Sequence, residues 1–437
     1  MPTILLLGTC DTKWSELLYL HSQLTSNPSI SVLLMDVGRA ATSSPLINIP
    51  HPSLTSTTNN NNSNIDYTQH PRNDYIQSIT QVSTPTVADL YHHGKIHTIL
   101  SIGGSCGTTI ATSIMRDALP IGFPKLMVST MASGDVGPYI QETDITMMYS
   151  VVDIAGTNSI LNRILRNAAA AGTGMATSYH DYISTSQSTN EQHTPNGVCK
   201  DPQERSRKKI KIGITMFGVT TPAVTQIRNY LESSSSSSHH LPCEIYVFHA
   251  TGSGGKAMER LIREGQLDAI VDLTTSEIAD ELVGGVLSAG PGRLDAAAER
   301  GIPQVVSVGA CDMVNFGTRD TVPERFRGRR IYEHNPTVTI VRTDEEENRR
   351  IGEFIVRKLG RAKCPKEVVM MLPTGGISMM DVPGNGFYDG VADEVLFETV
   401  ERGLKGTGVR VVRHEGDVNS KEFAESVGET LLQLLQM

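Results

Sequence analysis

Again and again along this chain a short apolar run stops in glycine and hydroxyl residues and reopens as a helix. That recurrence restricts the fold more than any other feature. The stretch from Thr98 to Thr112, TILSIGGSCGTTIAT, shows it most clearly, with Gly103-Gly104-Ser105-Cys106-Gly107-Thr108-Thr109 at the junction. A strand that ends in glycines and restarts as a helix leaves unpaired backbone N–H groups and a positive dipole end facing one place. Such a place suits an anion. Gly103, Gly104 and Gly107 allow close backbone approach, and Thr108 or Thr109 offers a hydroxyl for capping. The spacing GGxxG is neither GxGxxG nor GxxxxGK[ST], so a tight β-to-α turn without a ligand is the competing reading.

The same device runs through both halves. Thr3 to Leu7 leads into Gly8-Thr9-Cys10-Asp11-Thr12-Lys13 and a helical pattern through Leu17, Leu20 and Leu24. Ser31 to Val37 is a second strand, and apolar runs ending near Ser129 and Val152 add two more. Residues 41–73, rich in Thr, Ser, Asn and Pro, read as an exposed, poorly ordered insertion without chemistry. Residues 184–209 lose periodicity and carry the basic cluster Arg205, Arg207, Lys208 and Lys209, the pattern of a solvated linker. From Ile210 the strand–loop–helix order restarts, with Gly218, Thr220 and Thr221 after one strand and Gly252, Gly254 and Gly255 after the next. Later loops carry Thr274-Thr275-Ser276-Glu277, Gly309-Ala310-Cys311-Asp312 and a long glycine and proline stretch from Pro373 to Phe387.

Alternating βα units with continuously apolar strands predict parallel sheets covered on both faces by helices. The 437 residues exceed one ordinary core. The expected fold class is therefore α/β, with two doubly wound Rossmann-like domains over 1–183 and 210–437. Ligands of such sheets bind outside the carboxyl ends of the strands, and a cleft between the two domains is the expected site.

Composition narrows the class of partner. With 38 basic and 47 acidic residues the net charge is −9, against sequence-independent nucleic-acid binding. Six scattered cysteines contain no CxxC pair, so neither a zinc module nor a disulfide framework is indicated. No apolar run reaches the roughly 18 residues of a membrane span, and no signal peptide is apparent. A cytoplasmic protein is expected.

Several motifs taken together resemble the family of tobamovirus-resistance-protein-like ATP-binding domains. They are Gly8 to Lys13, Gly103 to Thr108, Leu119 to Gly122, Ser129 to Gly134 and Ser150 to Ile154 in the first half. In the second they are Met216 to Pro222, Phe248 to Gly255 and Ser307 to Gly317. The resemblance implies two Rossmann-like subdomains that bind ATP, and a homodimer. It places phosphates against Gly103, Gly104, Ser105, Gly107 and Thr108, with Thr9, Asp11 and Lys13 close by. Gly218, Thr220, Thr221, Gly252, Gly254 and Gly255 would face them from the second domain. The antiviral role of a plant member is not carried over, because the further TIM-barrel-like domain of that member is lacking here and the 41–73 insertion differs.

Two functional readings stand. One is a regulatory or partner-binding protein whose glycine-rich loops take ATP at the interdomain cleft, with Mg²⁺ held by an acidic residue. The other is an enzyme acting on a small phosphorylated or carboxylate metabolite in the same place, with Asp11, Glu277 and Asp312 as the first candidates for acid–base work. For each of these acidic residues a helix cap or turn role competes. No HExxH or GxSxG arrangement points to a metal or a nucleophile. RNA binding through the 205–209 cluster is a third, weaker idea.

Overall fold

The computed structural model of the chain describes residues 1–55, 66–188, 209–234 and 242–436. It divides into two compact units, Met1–Lys200 and Asp201–Met437. The expected linker lies mostly outside the described residues, as do the Arg205–Lys209 basic cluster (all but Lys209) and the run of asparagines at 59–62.

The first unit follows the order β1 (Thr3–Gly8), α1 (Cys10–Thr25), β2 (Ser31–Asp36), β3 (Ile47–Ile49), α2 (Pro52–Thr55), α3 (Arg72–His92), β4 (Thr98–Gly103) and α4 (Ser105–Ala118). It closes with β5 (Lys125–Ser129), α5 (Gly137–Ile140), β6 (Thr146–Tyr149) and α6 (Ser159–Ser188). All six strands are parallel, in the order β3-β2-β1-β4-β5-β6. The alternation along β1 explains the two helical layers. Ile4 and Leu6 pack on one face with Leu17, Leu20 and Leu165. Leu5 and Leu7 pack on the other with Ile79, Val87, Ile110 and Ile114. Each such side chain contributes about 1.5–3 kcal/mol on burial, so a strand apolar at every position needs cover on both sides.

Part of the 41–73 segment is built into this unit, contrary to its reading as poorly ordered. Ile47 and Ile49 form the edge strand β3 against Leu34 and Met35, and His51 and Tyr67 are buried. A few apolar and aromatic side chains anchor a segment whose composition is otherwise polar.

The second unit contains β7 (Ile210–Met216), α7 (Thr221–Ser234), β8 (Cys243–His249), α8 (Ser253–Arg263), β9 (Ala269–Thr274), α9 (Glu277–Val283), α10 (Asp295–Arg300) and β10 (Gln304–Gly309). Then come β11 (Met313–Phe316), β12 (Ile331–Asn335), β13 (Val338–Arg342), α11 (Glu345–Leu359), β14 (Val368–Pro373), α12 (Gly390–Leu404), β15 (Arg410–His414) and α13 (Lys421–Leu435). Its six-stranded parallel sheet runs β15-β14-β10-β9-β7-β8. An antiparallel three-stranded sheet, β11-β13-β12, is added to it. The sequence reading missed this sheet. Its strands are four or five residues long, and the β12–β13 turn is set by Asn335, whose side chain accepts from the Thr337 N–H at 2.8 Å.

Candidate nucleotide site

In the first sheet β1 lies between β2 and β4, and the direction in which the chain crosses the sheet reverses there. A reversal of this kind opens a crevice beyond the carboxyl ends of the strands. The two loops that end β1 and β4 are Gly8–Lys13 and Gly103–Thr108, so two turns separated by some ninety-five positions in sequence become neighbours. A Cβ on Gly107 would stand 3.9 Å from Thr9 Cγ2.

In neither turn does the N-cap residue's own side chain cap the helix; at α1 the buried Asp36 takes the Cys10 N–H instead. The N-cap of α4 is Gly104, in extended conformation at φ −80°, ψ −164°. That of α1 is Thr9, whose hydroxyl accepts instead from Thr12 Oγ1 at 3.0 Å. Gly103 is closely packed, since a Cβ there would stand 3.1 Å from the Gly107 Cα. Gly104 meets only Thr130 Oγ1 at 3.8 Å.

Other members of the predicted set have internal partners. Thr108 is buried, and its hydroxyl bonds Gly104 O at 2.8 Å and Ser129 Oγ at 2.6 Å. Asp11 accepts from the Arg39 and Ala40 N–H groups at 2.9 and 3.1 Å, which ties the loop after β2 to α1. Lys13 breaks the helical dihedrals of α1, and its Nζ donates to Ile154 O. Asp36, buried at the end of β2, accepts from the Cys10, Gly38 and Thr42 N–H groups.

Two arginines that sequence reading did not single out stand at the rim. Arg72, at the start of α3, donates to Ser105 Oγ at 2.8 Å. Arg39 is held by Tyr67 O at 3.2 Å and by His70 O. Burial pushes the Cys106 thiol up, with Arg72 and Arg39 opposing and Asp11 adding to the rise, so all three charges act on the first turn of α4. Arg39 also lines a cavity of about 360 Å³ with His51, Leu54 and Tyr67. Nothing in their spacing marks these arginines as partners of the glycine turn; tertiary packing brings them there.

The glycine-rich loop of the second unit has a different fate. Gly252, at φ +88°, and Gly255 donate their N–H groups to Glu277 Oε1 at 2.7 and 3.0 Å. The anion at the start of α8 is thus the chain's own carboxylate. Glu277 in turn accepts from Arg293 Nε at 2.8 Å. Arg293 is 1 % exposed and also reaches both oxygens of Asp272 and, at 3.5 Å, Glu259. Burial raises Glu277 and Glu259 above the ordinary carboxylate range, with Arg293 opposing. Gly254 is explained by the strand end, since a Cβ there would fall 1.9 Å from His249 O. Thr220 is buried and bonds Thr274 Oγ1 at 2.8 Å, while Thr221 bonds Phe217 O at 3.1 Å. Gly218 is exposed, with nothing within 4 Å of a Cβ.

A second buried cluster surrounds Arg342, whose Nη2 lies 2.6 Å from Asp393 and 3.3 Å from Asp381. Asp312, fully buried, accepts from Ser378 Oγ at 2.8 Å through Oδ2 while its Oδ1 has no partner. Of the three carboxylates expected to serve catalysis, Glu277 and Asp312 are thus buried, and the exposed Asp11 already holds two backbone N–H groups. Among the described residues no group of three or more His, Cys, Asp or Glu is placed to hold a metal ion. Among them, no helix is long and apolar enough to cross a membrane.

Comparison with known proteins accounts for nearly the whole chain. Residues 2–181 match the N-terminal domain and residues 209–435 the C-terminal domain of the uncharacterised protein family UPF0261. A UPF0261 protein of Clostridium tetani is 40 % identical over 99 % of both chains. The ToMV resistance protein Tm-1(GCR237) of Solanum lycopersicum is 35 % identical over 99 % of this chain, which spans 56 % of that protein. The ToMV susceptible protein tm-1(GCR26) of the same plant is 34 % identical with the same coverage.

Proposed function

Since the chain belongs to the UPF0261 family, with relatives that include the tomato Tm-1 proteins, we propose that its first unit binds ATP and acts as a regulatory or partner-binding protein. The observation that carries this reading is the uncapped start of α4 beside the start of α1 at the point where strand order reverses, with Arg72 at the first turn of α4. Backbone N–H groups, a dipole end and a guanidinium together favour a phosphate chain. The phosphates lie over Gly103, Gly104, Ser105 and Gly107, and the cavity shared with Arg39 takes the nucleoside. Thr108 supports the turn from within. The second unit supplies no phosphate loop from Gly252 and Gly255, whose N–H groups hold Glu277. A homodimer in the cytoplasm completes the proposal. The antiviral connection in the tomato names stays with those longer proteins.

Calorimetric titration of the full chain with ATP, with and without Mg²⁺, tests this, followed by product analysis over hours. Saturable binding without turnover supports the reading. Steady product formation transfers the assignment to an enzyme of a phosphorylated metabolite, and absence of heat at millimolar ATP overturns it.

A further inference from the structure

Three carboxyls and one guanidinium meet beneath the loop that joins β14 to α12. Asp312 comes from the β10–β11 turn, Arg342 from the end of β13, Asp381 from the loop itself and Asp393 from the first turn of α12. Arg342, Asp381 and Asp312 are each 2 % exposed or less. Asp381 accepts from Arg342 at 3.3 Å and from the Ile377 and Asp389 N–H groups, both at 3.2 Å. Asp393 takes the closest approach of the guanidinium, at 2.6 Å. Asp312 makes no contact with Arg342 within salt-bridge distance and keeps one oxygen without a partner. The remaining charges nearby are Asp389 and Arg330, which pair at 3.7 Å at the surface; the Cys311 thiol next to Asp312 is pushed by burial up to about 12 and is neutral.

Counted as ions, the four side chains carry one positive and three negative charges in a space closed to water. Buried like charges of this density do not all persist; one group neutralises by taking a proton. Asp393 is the first place for it, because its carboxyl shares a hydrogen bond with that of Asp381 and burial pushes it up to about 9; burial together with Asp381 raises Asp312 as well, to about 7. Arg342 opposes both rises. The same groups fasten the loop. Ser378 is tied to Asp312, Ile377 and Asp389 to Asp381, and Ala310 N donates to Ile377 O at 2.8 Å.

We propose that Asp312, Asp381, Asp393 and Arg342 form a proton-linked latch on the 374–389 loop, closed while the three carboxyls share at least one proton and loosened when that proton leaves. Opening exposes the carboxyls to water, where their affinity for the proton falls to that of ordinary side chains. Opening therefore releases a proton, and its equilibrium constant rises with pH.

Amide hydrogen exchange of the full chain, corrected for the intrinsic pH dependence of exchange, measures this directly. Loop amides at Ile377, Met380 and Asp389 are expected to show an opening constant that rises up to tenfold per pH unit between about pH 5 and 8, the slope of one released proton. The loop amides must open at a lower free energy than β9 amides such as Val271, which report opening of the whole unit, so that their slope reads a local event. Asp393→Asn is expected to flatten the loop profile and keep the loop protected at pH 8; Asp312→Asn serves as the second variant should the first fail to fold. A flat profile in the unaltered chain, loop amides that open only at the free energy of the β9 amides, or a slope unchanged in a folded Asn variant overturns the latch.

Discussion

Gly255 and Glu277 are matched so closely that a methyl group on the glycine would stand 2.0 Å from the carboxylate oxygen. The loop is glycine at this position because a buried acidic side chain fills the space that a bound anion would otherwise take. Replacing Glu277 by Ala should leave two N–H groups and one face of Arg293 unsatisfied, a loss of about 2–4 kcal/mol. Chemical denaturation followed by a probe in the second unit checks it. ATP affinity is expected to be unchanged in the folded variant, and unchanged again in Glu277→Gln.

Gly104 separates stability from binding. Its extended backbone suits a capping residue and leaves room for a side chain. Gly104→Asp should supply α4 with the missing N-cap and hold or raise the melting temperature, since a cap contributes between a few tenths and about 1 kcal/mol over glycine. The same carboxylate repels phosphate, so ATP affinity should fall at least about 100-fold, the effect of losing more than 2.7 kcal/mol. A folded variant that still binds ATP normally places the phosphates elsewhere.

Arg72 and Thr108 make a contrasting pair on either side of the same turn. Arg72→Gln removes a charge that touches Ser105 from outside, and should weaken ATP binding about 10-fold, by an amount that shrinks as salt is raised. Thr108→Val removes a hydroxyl buried against Ser129. It should cost about 1–3 kcal/mol of stability and leave calorimetric affinity in the folded state unaltered.

Acid should weaken the first unit through His97. This ring is buried, and its Nδ1 accepts from the Thr3 N–H at 3.1 Å. Burial depresses its pKa, with His180 and the terminal amine adding to the effect. A histidine depressed on folding gives full stability above its unfolded value of about 6.5, and that stability is lost as pH falls through the folded value. Thermal melts from pH 7.5 to 5 should show a loss of at most about 1.4 kcal/mol per pH unit from this group. His97→Gln should reduce the slope.

The skeleton of both units was legible because apolar strands, glycine turns and amphipathic helices are local patterns. Thr98–Gly103 followed by Ser105–Ala118 could be read from twenty-one consecutive letters. What escaped were relations between distant residues. Nothing around Arg293 in PGRLDAAAER announces Asp272, Glu259 and Glu277 as its partners. Identical signals also acquired different meanings: glycines after β4 precede a helix start without a cap, whereas glycines after β8 precede one satisfied from within. Arg72 and Arg39 joined the site through folding of the segment between β2 and α3, where composition gave little sign of order.

The quartet of Arg293, Asp272, Glu277 and Glu259 restricts how this chain can change over time. Losing the guanidinium first strands three acids in a dry interior, and losing the acids one by one leaves glycine N–H groups open at Gly252 and Gly255. Each single step passes through a weakened protein, so an apolar replacement is reached only by changing several positions together. The glycines belong to the same locked set: with Glu277 in place, even the smallest side chain at position 255 is shut out.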